Sequence, residues 1–356
     1  MFPASTIKHT SSRHPSFYTD VIGGLLAENK YLLSKYFYDE TGDKLFQQIM
    51  ACPEYYPTRC EMEILQHQSG KMAQLFDDNS RDDNSRDDNS RDDNSRNDNS
   101  RNGNSQVQFS TSFDLVELGP GDATKSWFLL KELQKDKVPF TYYPIDISSN
   151  VISWLEDRLP VTLPGIRLHG LNGEYMDKME QVSTFSANPK IVLFMGANIG
   201  NMTIQQAISF CRQLHDRMQP GDLLFIGFDL KKHPKTILDA YNDRQGITRA
   251  FNLNLLHRIN RELGADFEPE QFEHYPVYDP GTGTCKSFLI SRVAQQVHIG
   301  EKTISFREHE PLHMEISQKY TLDETSHLAA QSGFLPVHTF LDSKKWFADV
   351  LWQRQP

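Results

Sequence analysis

The chain has 356 residues, 37 basic and 47 acidic side chains, and a net charge of −10. That acidity argues against a nucleic-acid binder, which needs clustered Lys and Arg to meet phosphates, and the length allows two domains or one large one. No apolar run nears the roughly 18 residues of a membrane helix, the N-terminus lacks an apolar signal core, and four widely spaced cysteines form no CxxC pair and no disulfide framework.

Residues 1–61 read as helical and Tyr-rich, with the helix before the next segment ending near Phe76. From Asp77 to Ser105 the sequence repeats DDNSR four times, then continues NDNSR and NGNS. With nine Asp and five Arg, the segment carries −4 of the −10. It offers no aliphatic or aromatic side chain to bury, so residues 77–105 are expected to be a disordered insert. An EF-hand is excluded because the D-x-[DN]-x-[DN]-G…E pattern is absent.

After the insert, apolar runs alternate with helical patterns. Strands are expected at 113–118, 140–145, 166–171, 190–195 and 222–228, with helices at 124–135, 150–158 and 204–218. Continuously apolar strands alternating with helices predict a parallel sheet covered on both faces. A long helical pattern runs over 234–263, followed by strands near 273–277, 285–293 and 304–306. A capping box at Thr321–Glu324 opens a helix to about 331, and two last strands are expected near 337–341 and 346–352. The fold expected is α/β, a Rossmann-like core at 62–230 and 320–356. A second, discontinuous α+β domain is expected at 1–61 and 231–319.

In such sheets ligands bind at the carboxyl ends of strands, at the switch point. The first strand ends in ELGPGDATKS, so Glu117, Gly119 and Gly121 lie where backbone can approach a ligand, ahead of a positive helix N-terminus. The next strand ends at Asp146, whose carboxylate suits the two hydroxyls of an adenosine ribose. The third glycine of the dinucleotide fingerprint is Thr124, followed by Lys125. S-adenosylmethionine, which has no pyrophosphate, fits this better than NAD; a glycine-rich turn that binds nothing is the bland alternative.

Several strings carry a resemblance: YFYDETGDKLFQQI (36–49), PEYYPTRCEMEIL (53–65), LVELGPGDATKS (115–126), YYPIDIS (142–148), MGANIGNM (195–202), AYNDRQGITRAFNLNLLHRINRELGADF (240–267) and MEISQKY (314–320). With them the chain resembles the histidine-specific Nα-methyltransferases of ergothioneine biosynthesis over nearly its whole length outside the insert. The resemblance implies a Rossmann-like methyltransferase core, a substrate-binding domain and S-adenosylmethionine as the cofactor. It also implies Nα-methylation of L-histidine to the trimethylated betaine. It places cofactor contacts at Gly119, Lys125, Asp146, Glu174 and Tyr175, where the family usually has Asp-Phe at the last pair. Substrate contacts map to Tyr38, Tyr55, Gly196, Asn201, Tyr241, Glu315 and Ser317.

Methyl transfer from a sulfonium needs a neutral amine held in line with the methyl group, and no metal, so positioning dominates. Tyr38 and Asn201 are the expected catalytic positions; both can orient the amine or carboxylate of a free amino acid. Glu315 and Ser317, two apart on a strand, share one face and offer partners to both nitrogens of an imidazole. Ser287 departs from the family, whose histidine-specific members often have Met there. That leaves a larger aromatic amino acid or another imidazole-bearing amine as the alternative substrate, and a non-catalytic nucleoside-binding protein as the remote one. The partner expected is a small amino acid, with no nucleic acid and no membrane, in a cytoplasmic monomer.

Overall fold

The computed structural model describes residues 15–86 and 112–356. The described residues divide into two compact units, 15–56 with 232–318, and 57–86 and 112–231 with 319–356. The larger unit starts at Pro57 rather than at 62, because one helix begins there and packs on that unit's sheet.

In chain order the elements are α1 (Pro15–Leu26), α2 (Glu40–Ala51), α3 (Pro57–Arg86), β1 (Phe113–Leu118), α4 (Ser126–Lys135), β2 (Phe140–Asp146), α5 (Ser149–Thr162), β3 (Leu171–Asn172), α6 (Tyr175–Phe185), β4 (Lys190–Phe194), α7 (Ile204–His215) and β5 (Leu223–Asp229). They continue with α8 (Pro234–Ala240), α9 (Ile247–Leu263), β6 (Phe272–Asp279), β7 (Thr284–Ser291), β8 (Gln295–Ile299), β9 (Lys302–Phe306), β10 (Pro311–Gln318), α10 (Leu322–Gln331), β11 (Phe334–Leu341) and β12 (Phe347–Arg354).

The larger unit is built on one sheet in the order β3-β2-β1-β4-β5-β12-β11. Its first five strands are parallel, and β12 runs antiparallel to both β5 and β11. Every residue of β1, β4 and β5 is buried, as strands covered by helices on both faces must be. Polar caps mark the helix starts: Ser148 accepts from Val151 N, and Thr203 with Gln206 and Thr321 with Glu324 close complete capping boxes. The chain reverses direction across the sheet between β1 and β4. These strands end at Leu118 and Phe194, so the loops after them flank the switch point.

The smaller unit has its own core, in which Phe17, Leu25 and Phe37 pack with Phe251, Leu255, Leu289 and Leu312. Its sheet has the order β10-β7-β6, all antiparallel, beside a β8-β9 hairpin.

Four local expectations are corrected. The third core strand, expected over 166–171, shrinks to Leu171–Asn172, because it is an edge and the Gly170 amide bonds the Glu156 carboxylate instead of a neighbour. The helix expected over 234–263 is broken: Asp243 accepts from the amides of Ile247 and Thr248, and Gly246 takes φ +74°, so a new helix starts there. Helix α6 and strand β8 were not anticipated. Helix α3 does not stop near Phe76 but runs into the repeat as far as Arg86, where Asn79 donates to Gly221 O and accepts from Gln353. The rest of the repeat lies outside the described residues.

Candidate active site

The loop after β1 is made of backbone that only glycine adopts freely. Gly119 has φ +70° and Gly121 has φ +56°. A Cβ on Gly119 would lie 2.6 Å from the Tyr175 hydroxyl, whereas nothing stands within 4 Å of the position a Cβ on Gly121 would take. The loop therefore leaves a cradle at the switch point, backed by the N-terminus of α4. Asp146 ends β2 and accepts from Ser148 N at 2.8 Å. Tyr175 opens α6 and sets its ring edge-on to Phe194, 6.2 Å between centroids. Glu174, at the cap of the same helix, is exposed and makes no capping bond.

These residues fit S-adenosylmethionine. The open side of Gly121 admits a ligand against the backbone, Asp146 is a carboxylate suited to ribose hydroxyls, and Lys125 is a cation for a carboxylate. Lys125 Nζ lies 3.1 Å from where a Cβ on Gly196 would be, so the loops after β1 and β4 converge. The loop after β4 continues through a left-handed Ala197 (φ +55°) into a tight turn, and Asn201 stands exposed at its end.

A residue absent from the sequence reading ties these loops together. Glu61 of α3 is 1% exposed. One of its oxygens accepts from Lys125 Nζ at 2.5 Å and the other from Gly196 N at 2.6 Å. Burial would pull Lys125 down, but Glu61 holds the ammonium above its ordinary value. Glu61 thus staples the two loops that flank the switch point. Its signal in the sequence was an acid among apolar neighbours one turn into a helix that starts at Pro57.

Glu117, at the end of β1, is 3% exposed and accepts from the Tyr142 hydroxyl at 2.5 Å. Burial pushes its carboxyl up to about 7, against the opposing pull of Tyr142, Ser126 and Lys125. Its ordinary value is 4.5, so between that value and about 7 the folded state holds a proton that the unfolded state has lost. Stability must therefore fall as pH rises through this window, by about 3 kcal/mol in all. Glu117→Gln is expected to flatten the decline. At this length the melting temperature should drop by several degrees less between pH 5 and pH 8 than in the parent protein. Equal drops in both proteins would show that Glu117 is ionised throughout.

In the smaller unit, a β-bulge decides which side chains share a face. Pairing of β10 with β7 runs Leu312↔Leu289 and His313↔Phe288, then slips by one residue to Glu315↔Ser287 and Ser317↔Cys285. The extra residue, Met314, is buried. The slip turns Glu315 and Ser317 onto the face of Ser287 and Cys285, which continues that of Leu289 and Leu312. The Tyr241 hydroxyl meets Ser317 Oγ at 2.7 Å on that face. From there aromatic rings lead outward: Tyr241 to Tyr55 (6.4 Å between centroids), Tyr55 to Phe46 (6.3 Å) and Phe46 to Tyr38 (5.6 Å). Tyr38 also packs on Phe251. Its neighbour Asp39 caps α2 and pairs with Asn254 and Arg261, which pins the backbone there. The structure thus gathers Tyr38, Tyr55, Tyr241, Ser287, Glu315 and Ser317 in one unit. Gly119, Gly121, Lys125, Asp146, Glu174, Tyr175, Gly196 and Asn201 lie in the other. His274 is a further residue the sequence reading missed: its Nε2 lies 3.4 Å from Ser287 Oγ, and burial lowers its ring to about 4, so it is neutral near pH 7.

Among the described residues, no helix is long and apolar enough to cross a membrane, and no group of three or more His, Cys, Asp or Glu could hold a metal ion. Residues 17–354 match the family model described as histidine-specific methyltransferase, SAM-dependent. The chain is 30% identical over 325 residues to a histidine N-alpha-methyltransferase of Mycolicibacterium smegmatis, covering 91% of this chain and 90% of that protein. A protein of the same name from Mycobacterium tuberculosis is 29% identical, with 92% of each chain covered. The ergothioneine biosynthesis protein 1 of Neurospora crassa is 26% identical over 84% of this chain, which spans 30% of that longer protein. With a family match that runs almost from end to end, the chain belongs to the histidine-specific, S-adenosylmethionine-dependent methyltransferases.

Proposed function

We propose that this enzyme methylates the α-amino group of L-histidine and carries the amine through to the trimethylated betaine. The observation that carries this reading is the face built by Glu315, Ser317 and Tyr241, with the 2.7 Å bond between the two hydroxyls beside an anionic acceptor. An imidazole presents one N–H donor and one acceptor nitrogen in its neutral form. Glu315 accepts from the first, and the Ser317–Tyr241 hydroxyl pair donates to the second. The rings of Tyr55 and Tyr38 form an apolar wall for the rest of the amino acid.

When bound, S-adenosylmethionine supplies an electrophilic methyl group on a sulfonium. The chain's own residues hold the acceptor. Within the larger unit, Asn201 is proposed to hold the α-amine, and within the smaller, Tyr38 is proposed as a contact for the carboxylate; methyl transfer depends on such positioning. The C–N bond would form at the positioned nitrogen as the donor's S–CH3 bond breaks, which would leave the sulfur as a neutral thioether. The nitrogen releases a proton after the first and second transfers and has none to release after the third. Gly119, Gly121, Lys125, Asp146, Glu174 and Tyr175 are proposed as the donor contacts.

A second reading rests on Ser287. Its side chain is small and buried, with His274 Nε2 3.4 Å from its hydroxyl, so the pocket differs from one lined by Met and suits another aromatic amino acid. Mass spectrometry after incubation with S-adenosylmethionine and a panel of free amino acids separates the two. Gains of one, two and three methyl groups on histidine are expected. Methylation of tryptophan or tyrosine with histidine untouched would overturn the proposal in favour of the second reading.

A further inference from the structure

Glu61 has a buried companion that the donor site does not otherwise use. Asp349 lies in the middle of β12 and is 0% exposed. Both of its carboxyl oxygens are buried, with no donor on them among the described residues. Its register partner on β5 is Gly227. The position a Cβ would take on Gly227 is 2.5 Å from Glu61 Oε1 and 3.1 Å from Asp349 Oδ1. The two carboxyls therefore converge over the one residue of β5 that has no side chain. A side chain at 227 would clash with Glu61 and press tightly on Asp349.

Two buried carboxylates with one ammonium, Lys125, cannot both ionise cheaply, since like charges in a dry site repel and each pays desolvation. Glu61 is the one held by two donors, Lys125 Nζ and Gly196 N. Asp349 has none, so the proton belongs on Asp349. We propose that Asp349 is a positioning residue of the donor site, donating a hydrogen bond to Glu61 and so fixing the carboxylate that staples Lys125 to the Gly196 amide. The directions agree: burial first, then Glu61, drive the Asp349 carboxyl far above its ordinary value, with Lys125 opposing. Glu117 of β1 is the other acid that acts on Lys125. In this arrangement Glu61 and Lys125 cancel, and Asp349 adds no charge. The cofactor's carboxylate end then meets an ammonium whose place is set from α3 and β12, residues far from the glycine loop in sequence.

The inference rests on the cofactor assignment alone and not on the identity of the amino acid methylated. The test is calorimetric titration of the full-length protein with S-adenosylhomocysteine, for the parent, Asp349→Asn and Asp349→Leu. Asn keeps a donor toward Glu61 and cannot ionise; Leu keeps the branched shape, is somewhat larger, and loses the donor. Asp349→Asn is expected to bind within about twofold of the parent and Asp349→Leu about tenfold more weakly, the effect of one hydrogen bond to a charged group. A purely structural role would lower the Leu variant's melting temperature and leave the affinity of its folded fraction unchanged, which overturns the proposal. Equal damage by Asn and Leu overturns it as well, since the needed feature would then be a negative charge. Should Asp349→Leu fail to fold, the infrared difference spectrum of the parent against Asp349→Asn at pH 7 decides. A protonated-carboxyl C=O band present only in the parent supports the inference, and its absence refutes it. A parent protein that binds no S-adenosylhomocysteine at all would instead refute the cofactor reading.

Discussion

Replacing Glu315 with alanine is expected to lower kcat/KM for L-histidine by about tenfold to a hundredfold, mostly through KM, and to leave the affinity for S-adenosylhomocysteine unchanged. The size follows from losing one hydrogen bond between a charged acceptor and the substrate's N–H, about 1.5–3 kcal/mol. The direction follows from the fold: Glu315 belongs to the smaller unit, and every proposed donor contact belongs to the larger. Glu315→Gln keeps an acceptor without the charge and should fall between the parent and the alanine variant. The Tyr241–Ser317 bond predicts more. Tyr241→Phe and Ser317→Ala remove two ends of one contact, so the double variant should cost less than the two single losses added together. Steady-state kinetics with histidine and with tryptophan reads all of these. Unchanged histidine turnover in Glu315→Ala would remove Glu315 from the acceptor site.

Much of this is legible in the sequence alone. The short, mostly apolar runs at 113–118, 190–195 and 222–228, bounded by turn signals and alternating with helical patterns, mark strands buried on both faces. Gly119 and Gly121 at a strand end, and Asp146 at the next, follow from the same logic. Three features were not legible, for one shared reason: each depends on pairing between distant segments. The bulge at Met314 is set by register against β7, and strict alternation along β10 alone does not reveal it. Glu61 and Asp349 are separated by most of the chain and meet only over Gly227. An acid inside FADVLW reads as a solvent-facing position of an alternating strand until both faces of β12 prove to be covered. The break at Tyr241–Gly246 was legible in principle, since Asn-Asp followed by Gly is both a stop and a start signal. The helical periodicity on either side hid it. Helix α3 shows the opposite failure: composition alone called for disorder from Asp77 onward, while Asn79 is tied to the sheet unit at both ends of its amide.

Gly119→Ala is expected to weaken S-adenosylhomocysteine binding by roughly a hundredfold, about 2.7 kcal/mol. Two costs act together. An L-residue at φ +70° is strained by about 1–2 kcal/mol. The new methyl also lies 2.6 Å from the Tyr175 hydroxyl, so either the loop or the Tyr175 ring must move. Since both are proposed donor contacts, neither movement is neutral for binding. Two further glycines separate strain from contact. Gly121 (φ +56°) and Gly165 (φ +83°) both have open space where a Cβ would go. Gly121 is at the switch point, and Gly165 is in the loop between α5 and β3. Alanine at either should lower the melting temperature by a similar small amount, because the backbone cost is the same. Only alanine at 121 should also lower the affinity, because only there does the open space belong to the cradle. Calorimetry and thermal melts on the three variants check this. Equal affinity in Gly121→Ala and Gly165→Ala would mean that the cofactor does not lie against the loop after β1, and the donor site would have to be sought elsewhere on the sheet.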